Sequence, residues 1–306
     1  MIIITTLVHP IMLDTFSKKD IEYTYAPNMT YNGLMDIISN ATGLIVSTQI
    51  KIDKQLIDKA NKIKWIGRLG SGMEHIDVKY ATSKNIICES SPEGNKIAVA
   101  EHALGLLLSL MRHSFKSANE VKSGIWLREE NRGEELSGKR IGIIGFGNTG
   151  SSFARLLSSF DVTILAYDKY KSGFGNNYIK EATLEEIIEQ SNVISFHLPL
   201  TNETENLADG IFFNKLGKVP YIINTSRGGI INTADLITAL RNENIKGVAL
   251  DVLENEQLST YTQEEKDYFN YLTTQKNVII TPHIAGYSFE ASYKLCVVLL
   301  EKLGIT

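Results

Sequence analysis

The stretch Ile141-Gly142-Ile143-Ile144-Gly145-Phe146-Gly147-Asn148-Thr149-Gly150 decides the fold of this chain. A strand-like apolar run precedes the motif glycines, and apolar residues at helical spacing follow them. A second apolar run, at residues 162–167, ends at Asp168, 18 residues beyond the last motif glycine, Gly150. Strand, glycine turn, helix, strand and terminal carboxylate together predict a dinucleotide-binding βαβ unit. The alternative is an ordinary βαβ unit whose glycines only make turns.

The glycine motif has a physical reason at each position. Gly145 would make the tight turn, and Gly147 would let the backbone approach a pyrophosphate. Gly150 would let the helix pack closely on the strand. Asn148 and Thr149 would lie at the helix N-terminus, where free N–H groups and the helix dipole favour an anion. These residues are predicted to bind the cofactor.

Asp168 predicts which dinucleotide binds. Its carboxylate, at the end of the second strand, would accept hydrogen bonds from both ribose hydroxyls. The same negative charge would repel a 2′-phosphate. The sequence therefore predicts NAD rather than NADP.

The composition excludes several function classes. The chain has 306 residues, enough for two domains, with 43% hydrophobic and 22% charged residues. A net charge of −4 and a pI near 5.9 argue against a nucleic-acid-binding surface. The longest apolar run is much shorter than the ~20 residues of a membrane span, so no membrane association is expected.

The cysteines and the N-terminus predict a cytoplasmic location. Cys88 and Cys296 both lie among apolar residues and cannot form a disulfide framework or a thiolate zinc site. The apolar N-terminus lacks a basic segment and reaches His9-Pro10 too early for a signal peptide. The six histidines show no short spacing with acidic residues that would indicate a metal site.

Short strands alternate with helices along the first hundred residues, which predicts a parallel sheet. The strand-like runs are Ile2-Ile3-Ile4, Leu44-Ile45-Val46, Lys64-Trp65-Ile66-Gly67 and Ile86-Ile87-Cys88. The loop after the third run contains Gly70, Ser71 and Gly72, whose N–H groups could form an anion-binding nest. A plain glycine turn capped by Asp77 is an equal alternative.

A long helical pattern begins at Lys96, after a loop at residues 90–95. His102 within it is interpreted as a packed residue rather than a ligand. The charged segment that follows contains Arg128 and Arg132, which could reach an anionic substrate but more often would be solvated. The role of the polar segment 261–270 is not predicted.

Polar residues follow four successive strand-like runs after Asp168. They are His197, the segment Asn224-Thr225-Ser226-Arg227, Asp251, and Thr281-Pro282-His283. The carboxyl ends of parallel strands converge at one edge of a sheet, where open α/β sheets bind ligands. Purely structural residues would not need to be polar at each of these ends, so the recurrence predicts a catalytic cleft.

In this order, the motifs resemble the D-isomer-specific 2-hydroxyacid dehydrogenase family over nearly the whole chain. The stretches that carry the resemblance are the Gly70/Gly72 loop, Asn95 with 98–101, 133–139, the glycine motif, 197–201, 224–229, 250–256 and Thr281-Pro282-His283. Membership would imply an NAD-dependent oxidoreductase of the α/β class. Its fold would be a Rossmann-type doubly wound parallel sheet plus a flavodoxin-like α/β substrate domain.

The resemblance also implies how the domains are arranged along the chain. Residues 1–95 with 284–306 would form the substrate-binding domain, and 96–283 would form the NAD-binding domain. A homodimer built through the nucleotide domains is expected.

The resemblance assigns the chemistry to three residues. His283 would exchange a proton with the carbonyl oxygen of a 2-oxo acid, because imidazole titrates near neutral pH. Glu256 would pair with the imidazolium and orient it. Arg227 would hold the substrate carboxylate through its planar donor fork. Without the family, a turn residue, a solvated acid and a loop anchor are equal interpretations of these three.

Further residues are assigned by the same resemblance. Those expected to bind substrate are Arg68, Gly70, Ser71, Gly72 and Asn95. Those expected to line the cofactor are His197, Pro199, Thr225, Ser226 and Asp251, the last binding the nicotinamide carboxamide.

Among family members, the Gly67–Gly72 loop and the segment near Trp126 look most like 3-phosphoglycerate dehydrogenases. Arg68, Arg128 or Arg132 could then serve a phosphate. Ser47-Thr48-Gln49-Ile50 stands where many such enzymes carry an arginine-containing stretch, and whether Lys51 compensates is open. The sequence stops at Thr306, so no C-terminal regulatory domain is expected. Alternatives are a glyoxylate or hydroxypyruvate reductase and an NAD-sensing binding protein on the same fold.

Overall fold

The computed structural model describes residues 1–305 of the chain. Its backbone divides into two compact units. The first unit comprises Met1–Lys96 and Gly286–Thr306, and the second unit comprises Ile97–Ala285. The sequence predicts domain boundaries at 95/96 and 283/284. That the first unit binds the substrate stays a prediction.

The first unit is built on a five-stranded parallel sheet in the order β2-β1-β3-β4-β5. Its strands are β1 (Ile2–Ile4), β2 (Tyr23–Tyr25), β3 (Gly43–Val46), β4 (Trp65–Arg68) and β5 (Ile87–Ser90). Its helices are α1 (Pro10–Lys18), α2 (Tyr31–Ile37), α3 (Lys54–Lys59) and α4 (Val78–Ser83), together with the C-terminal helix Phe289–Lys302. This strand order is the flavodoxin-like one, so that part of the fold prediction is confirmed.

Side-chain alternation divides the first unit into two apolar layers. Ile3, Leu44 and Ile66 point to the face covered by α2, α3 and α4. Ile4 and Ile45 point to the opposite face, which is covered by α1 and the C-terminal helix. Both faces of the sheet are therefore buried, as a parallel sheet requires.

The second unit contains a seven-stranded parallel sheet in the order β12-β11-β10-β9-β6-β7-β8. Its strands are β6 (Arg140–Ile144), β7 (Thr163–Tyr167), β8 (Ile179–Glu181), β9 (Val193–Phe196), β10 (Tyr221–Asn224), β11 (Gly247–Leu250) and β12 (Val278–Ile280). Its helices are α5 (Pro92–Met111, which starts in the first unit), α6 (Ser114–Lys122), α7 (Asn148–Leu157), α8 (Leu184–Gln190), α9 (Gly210–Asn214), α10 (Thr233–Arg241) and α11 (Gln263–Thr274). The C-terminal helix is α12.

The order reverses at β6 and β9, which is the doubly wound Rossmann topology. On one face, Ile141 and Ile143 pack with Phe153 of α7 and Leu107 of α5. On the other face, Ile144 of β6, Ile194 of β9 and Ile222 of β10 pack with α8, α9 and α10. The topological switch point between β6 and β9 lies beside the glycine loop, and this is where a dinucleotide binds in this topology.

The prediction that a helix begins at Lys96 is wrong. Helix α5 begins at Pro92, because proline at the first helical position has no N–H to leave unpaired and its φ suits the helix. Asn95 therefore lies in the first turn of α5 rather than in a loop. The edge strands β2 and β8 were not predicted, and the polar segment 261–270 forms most of α11.

Both cysteines are free thiols. Burial raises the pKa of each to about 11, so neither is a reactive thiolate near neutral pH. Within residues 1–305, no helix has the length and apolar character needed to cross a bilayer.

Candidate active site

The glycine loop follows β6 with the geometry that a dinucleotide needs. Gly145 adopts a φ of +95°, in the region that favours glycine, and its N–H donates to Tyr167 O at 2.8 Å. A methyl group on Gly150 would overlap the carbonyl oxygen of Gly145. Gly147 has open space where a side chain would project. The loop therefore packs closely against the start of α7 at Gly150 and leaves room for a ligand at Gly147.

Helix α7 starts at Asn148, immediately after Gly147. The first N–H groups of a ten-residue helix, together with its dipole, favour a phosphate at this end. Thr149 is held there by His197, whose Nδ1 lies 3.3 Å from Thr149 Oγ1. The residues present fit the pyrophosphate of NAD.

Asp168 closes the other side of the glycine loop. Its Oδ2 accepts from Phe146 N at 2.9 Å, and its Oδ1 accepts from Tyr170 N at 3.0 Å. Lys171 Nζ donates to Phe146 O at 3.2 Å. The carboxylate thus ties β7 to the loop at the position predicted for the adenosine ribose.

His197 is a buried, neutral histidine at the end of β9. Burial lowers its pKa to about 3. Its Nε2 lies 2.9 Å from Ser195 Oγ, and its ring packs against Phe153 with centroids 5.4 Å apart. Pro199, two residues on, accepts at its carbonyl from Thr204 Oγ1 at 2.6 Å. The imidazole connects β9 to α7 and is shielded from protonation.

The segment after β10 is organised by Asn224, which is fully buried. Its Oδ1 accepts from both the N–H and the hydroxyl of Ser226, at 3.0 and 2.8 Å. Its Nδ2 donates to Arg227 O at 2.9 Å. Arg227 Nη1 donates in turn to Ser226 O at 2.7 Å. The buried hydroxyl of Thr225 has no hydrogen-bond partner among residues 1–305, so it is available to a ligand.

Asp251, after β11, is the buried carboxylate of the site. Its Oδ1 accepts from Thr281 Oγ1 at 2.5 Å and from Ile284 N at 2.9 Å, and its Oδ2 accepts from Ala285 N at 2.7 Å. Burial alone would raise the pKa of Asp251, but hydrogen bonds led by the one from His102 lower it. These contacts give Asp251 a supporting part in the site, and its contact with the cofactor carboxamide stays a prediction.

His283 and Glu256 form a pair: Nδ1 of the imidazole lies 2.8 Å from Glu256 Oε2. Both side chains are close to half exposed, so a solute can reach them. His283 has a φ of +55°, a left-handed conformation that costs roughly 1 kcal/mol or more for a residue other than glycine. Its N–H donates to Asp251 O at 2.8 Å. A conformation of this kind persists only where the surrounding structure enforces it.

The five residues predicted to bind substrate lie in the first unit. Gly70 has a φ of +130°, and a side chain there would collide with the guanidinium of Arg68. The N–H of Gly70 donates to Ser91 Oγ at 3.2 Å, so this group is occupied. Ser71 Oγ donates to Asn95 Oδ1 at 3.3 Å, which links the loop to α5. Gly72 follows in the same loop.

The residues considered for a phosphate have different surroundings. Arg132 pairs with Glu129 on the surface at 2.5 Å, and Arg68 Nη1 donates to Leu69 O at 2.7 Å. Arg128 and Lys51 are exposed. No cluster of histidine, cysteine and acidic side chains that could hold a metal occurs among residues 1–305.

Three residues of this region were not assigned to the site from the sequence. Asn224 and Thr281 are polar residues at strand ends, and that position is the signal for them in the sequence. The sequence predicts His102 as a packed helix residue, but its Nε2 lies 3.1 Å from Thr281 Oγ1 and 3.5 Å from Asp251 Oδ1. Only the fold brings α5 beside the residues that follow β12.

Comparisons with known proteins agree with this architecture. A family model described as "D-isomer specific 2-hydroxyacid dehydrogenase, NAD binding domain" matches residues 104–285. A D-3-phosphoglycerate dehydrogenase of Archaeoglobus fulgidus is 32% identical over 293 residues, which are 95% of this chain and 54% of that protein. A glyoxylate reductase of Thermofilum pendens is 35% identical over 269 residues, which are 86% of this chain and 77% of that protein. The chain spans about half the length of the phosphoglycerate dehydrogenases first matched.

Among solved structures, a D-lactate dehydrogenase from Aquifex aeolicus, complexed with NAD and lactic acid, is similar throughout. The TM-score is 0.86 at 25% identity, covering 99% of this chain and 94% of that one. The family model covers more than half of this chain, and the glyoxylate reductase is matched over more than two thirds of its own length. The chain therefore belongs to the D-isomer specific 2-hydroxyacid dehydrogenase family, and its second unit contains the NAD binding domain of that family.

Proposed function

We propose that the protein is an NAD-dependent dehydrogenase that interconverts D-2-hydroxy acids and 2-oxo acids. The observation that carries the proposal is the His283–Glu256 pair in the NAD binding domain, in which His283 follows β12 and Glu256 follows β11. An exposed imidazole hydrogen-bonded to a carboxylate is an acid–base group for a carbonyl oxygen. We assign the cofactor to the glycine loop, Asp168, Thr225 and Ser226.

The proposed roles follow from the contacts. Glu256 accepts the hydrogen bond from Nδ1, so Nε2 of His283 is the nitrogen that would exchange a proton with the substrate oxygen. Arg227 would pair with the substrate carboxylate and polarise the carbonyl. Bound NADH would supply the hydride to C2 of the oxo acid. When the oxo acid is reduced, its carbonyl carbon takes the hydride and its oxygen takes the proton of His283. Solvent then restores that proton.

The test is NADH oxidation over a panel of 2-oxo acids that includes pyruvate, glyoxylate, hydroxypyruvate and 3-phosphohydroxypyruvate. We expect at least one acid to be reduced, and His283→Ala to lower kcat by at least about a hundredfold. Glu256→Gln keeps the shape and removes the charge, so it should be impaired to a smaller degree. Absence of turnover with every acid, or a fully active His283→Ala, contradicts the proposal.

For the substrate we propose two candidates that the same panel separates. The resemblance of the Gly67–Gly72 loop favours 3-phosphoglycerate. The stretch Ser47-Thr48-Gln49, without an arginine, favours a small uncharged substituent, as in glyoxylate or hydroxypyruvate. An NAD-sensing binding protein would bind NADH with no turnover.

We also propose a cytoplasmic homodimer built through the second unit. Apolar side chains are exposed on and after α6, a composition typical of an interface. They are Phe115, Val121, Ile125, Trp126 and Leu127, with Trp126 78% exposed. The free, unreactive thiols are compatible with a reducing compartment.

A further inference from the structure

We propose that His102 is a positioning residue for His283, acting through Thr281 and Asp251. The proposal rests on the proposed dehydrogenase function, to which it adds a residue on a helix distant in sequence from the proton donor. All four residues belong to the second unit. His102 itself does not touch the reacting atoms.

The hydrogen-bond directions can be assigned from chemistry. The hydroxyl of Thr281 has a single proton, and it is directed to Asp251 Oδ1 because an ionised carboxylate can only accept. Thr281 Oγ1 must therefore accept from His102, so Nε2 of His102 carries a hydrogen. The same N–H points toward Asp251 Oδ1, 3.5 Å away. His102 thus fixes both the hydroxyl and the carboxylate.

Asp251 transmits this constraint to the segment that carries His283. Its carboxylate accepts from the N–H groups of Ile284 and Ala285, and its backbone oxygen accepts from His283 N. Asp251 therefore accepts from three consecutive backbone N–H groups, those of His283, Ile284 and Ala285. These bonds hold the left-handed backbone at His283, which sets the direction of the imidazole toward Glu256.

The arrangement predicts that removing the Nε2–H group of His102 slows proton transfer by His283. A buried carboxylate that loses a donor reorganises its remaining hydrogen bonds. A displacement of the reacting group by about 1 Å can lower the rate about a hundredfold. The effect should fall on kcat for the oxo acid rather than on the KM for NADH.

Two matched pairs of variants test the proposal. Glutamine can place an amide N–H where His102 Nε2–H lies, whereas leucine has similar size and no donor. His102→Leu should lower kcat at least about tenfold, and His102→Gln should recover most of it. Thr281→Val should reproduce the loss while Thr281→Ser retains activity, and His102→Leu combined with Thr281→Val should be no worse than either alone. This second pair decides the question if the leucine variant does not fold.

A second readout does not depend on turnover. Amide hydrogen exchange at residues 283–285, followed by NMR, should become about tenfold faster in His102→Leu and Thr281→Val, and should stay near the wild-type rate in His102→Gln and Thr281→Ser. If the wild type turns over no acid while exchange follows this pattern, the dehydrogenase proposal fails and the positioning proposal stands. The positioning proposal is overturned if His102→Leu and His102→Gln have equal kcat and equal exchange rates. It is also overturned if kcat and exchange are unchanged in both His102→Leu and Thr281→Val.

Discussion

The carboxylate of Asp168 has two tasks that a substitution can separate. It holds the glycine loop through Phe146 N and Tyr170 N, and it is proposed to accept from the ribose. Asp168→Asn removes the charge but keeps one acceptor for the loop, whereas Asp168→Ala removes both.

We expect both variants to narrow the preference for NAD over NADP by about tenfold or more, because repulsion of a 2′-phosphate is lost. The alanine variant should also bind NAD more weakly, since its loop is less constrained. Titration calorimetry with each dinucleotide measures both effects. Unchanged discrimination in both variants would count against the ribose contact.

His197 makes the stability of the protein depend on pH. Burial lowers its pKa from 6.5 to about 3, so the unfolded chain takes up a proton near pH 6.5 that the folded chain does not. The contribution of His197 to the free energy of unfolding is present above pH 6.5 and is lost as the pH falls toward 3. This residue alone should lower the free energy of unfolding by about 2 kcal/mol between pH 7 and pH 5.

Urea unfolding at the two pH values measures this dependence. His197→Gln keeps a polar side chain that cannot take up the proton, so the difference between pH 7 and pH 5 should shrink in that variant. An equal difference in the two proteins would show that His197 is not the group responsible.

At the scale of elements, close contact between β6 and α7 depends on Gly150. A methyl group at this position would overlap Gly145 O, so Gly150→Ala must push the helix from the strand. We expect a loss of about 1–3 kcal/mol in the free energy of unfolding and weaker NAD binding. Gly105 in α5 is the matched control, because a Cβ there would meet no atom within 4 Å beyond its chain neighbours and the backbone of its own helix. Gly105→Ala should stabilise the protein by about 0.5–1 kcal/mol in the same urea titration.

Central strands were predictable because both their faces are buried, which gives continuous apolar runs such as 141–144 and 193–196. The edge strand β2 alternates tyrosine and threonine and has no fully buried residue, so its apolar pattern is weak. Helix α11 was missed in a polar segment, although Thr262 and Glu265 form a capping box that marks its start. That local signal was present in the sequence.

His283 and Arg227 were predicted because each follows a strand in a recurring motif, and their catalytic roles stay predictions. The contact of His102 with Thr281 joins positions far apart in the chain, and no pattern along α5 distinguishes a hydrogen-bonded histidine from a packed one. The left-handed conformation of His283 likewise depends on tertiary hydrogen bonds rather than on local sequence.

At the scale of the whole molecule, the proposed homodimer can be tested at the apolar side chains after α6. Trp126→Asp combined with Leu127→Asp would place charges in the interface and should convert a dimer to a monomer, as sedimentation velocity would show. Tyr287→Asp in the first unit is a matched control, since Tyr287 is 85% exposed and should not change the mass. A wild-type monomer, or a dimer unaffected by the double change, contradicts the proposed interface.

The packing of α12 on the first unit has a consequence for the order in which the chain folds during synthesis. Leu299 and Leu300 cover the same sheet face as Ile2 and Ile4, at the other end of the chain. When the ribosome has made only the first 96 residues, that face lacks α12, whereas residues 97–285 already contain both apolar layers of their own sheet. We therefore expect the inserted second unit to become protease-resistant on the ribosome before the unit that precedes it. Chains stalled with a C-terminal linker long enough to bring residue 285, or residue 306, out of the ribosome, compared by limited proteolysis, would show this order.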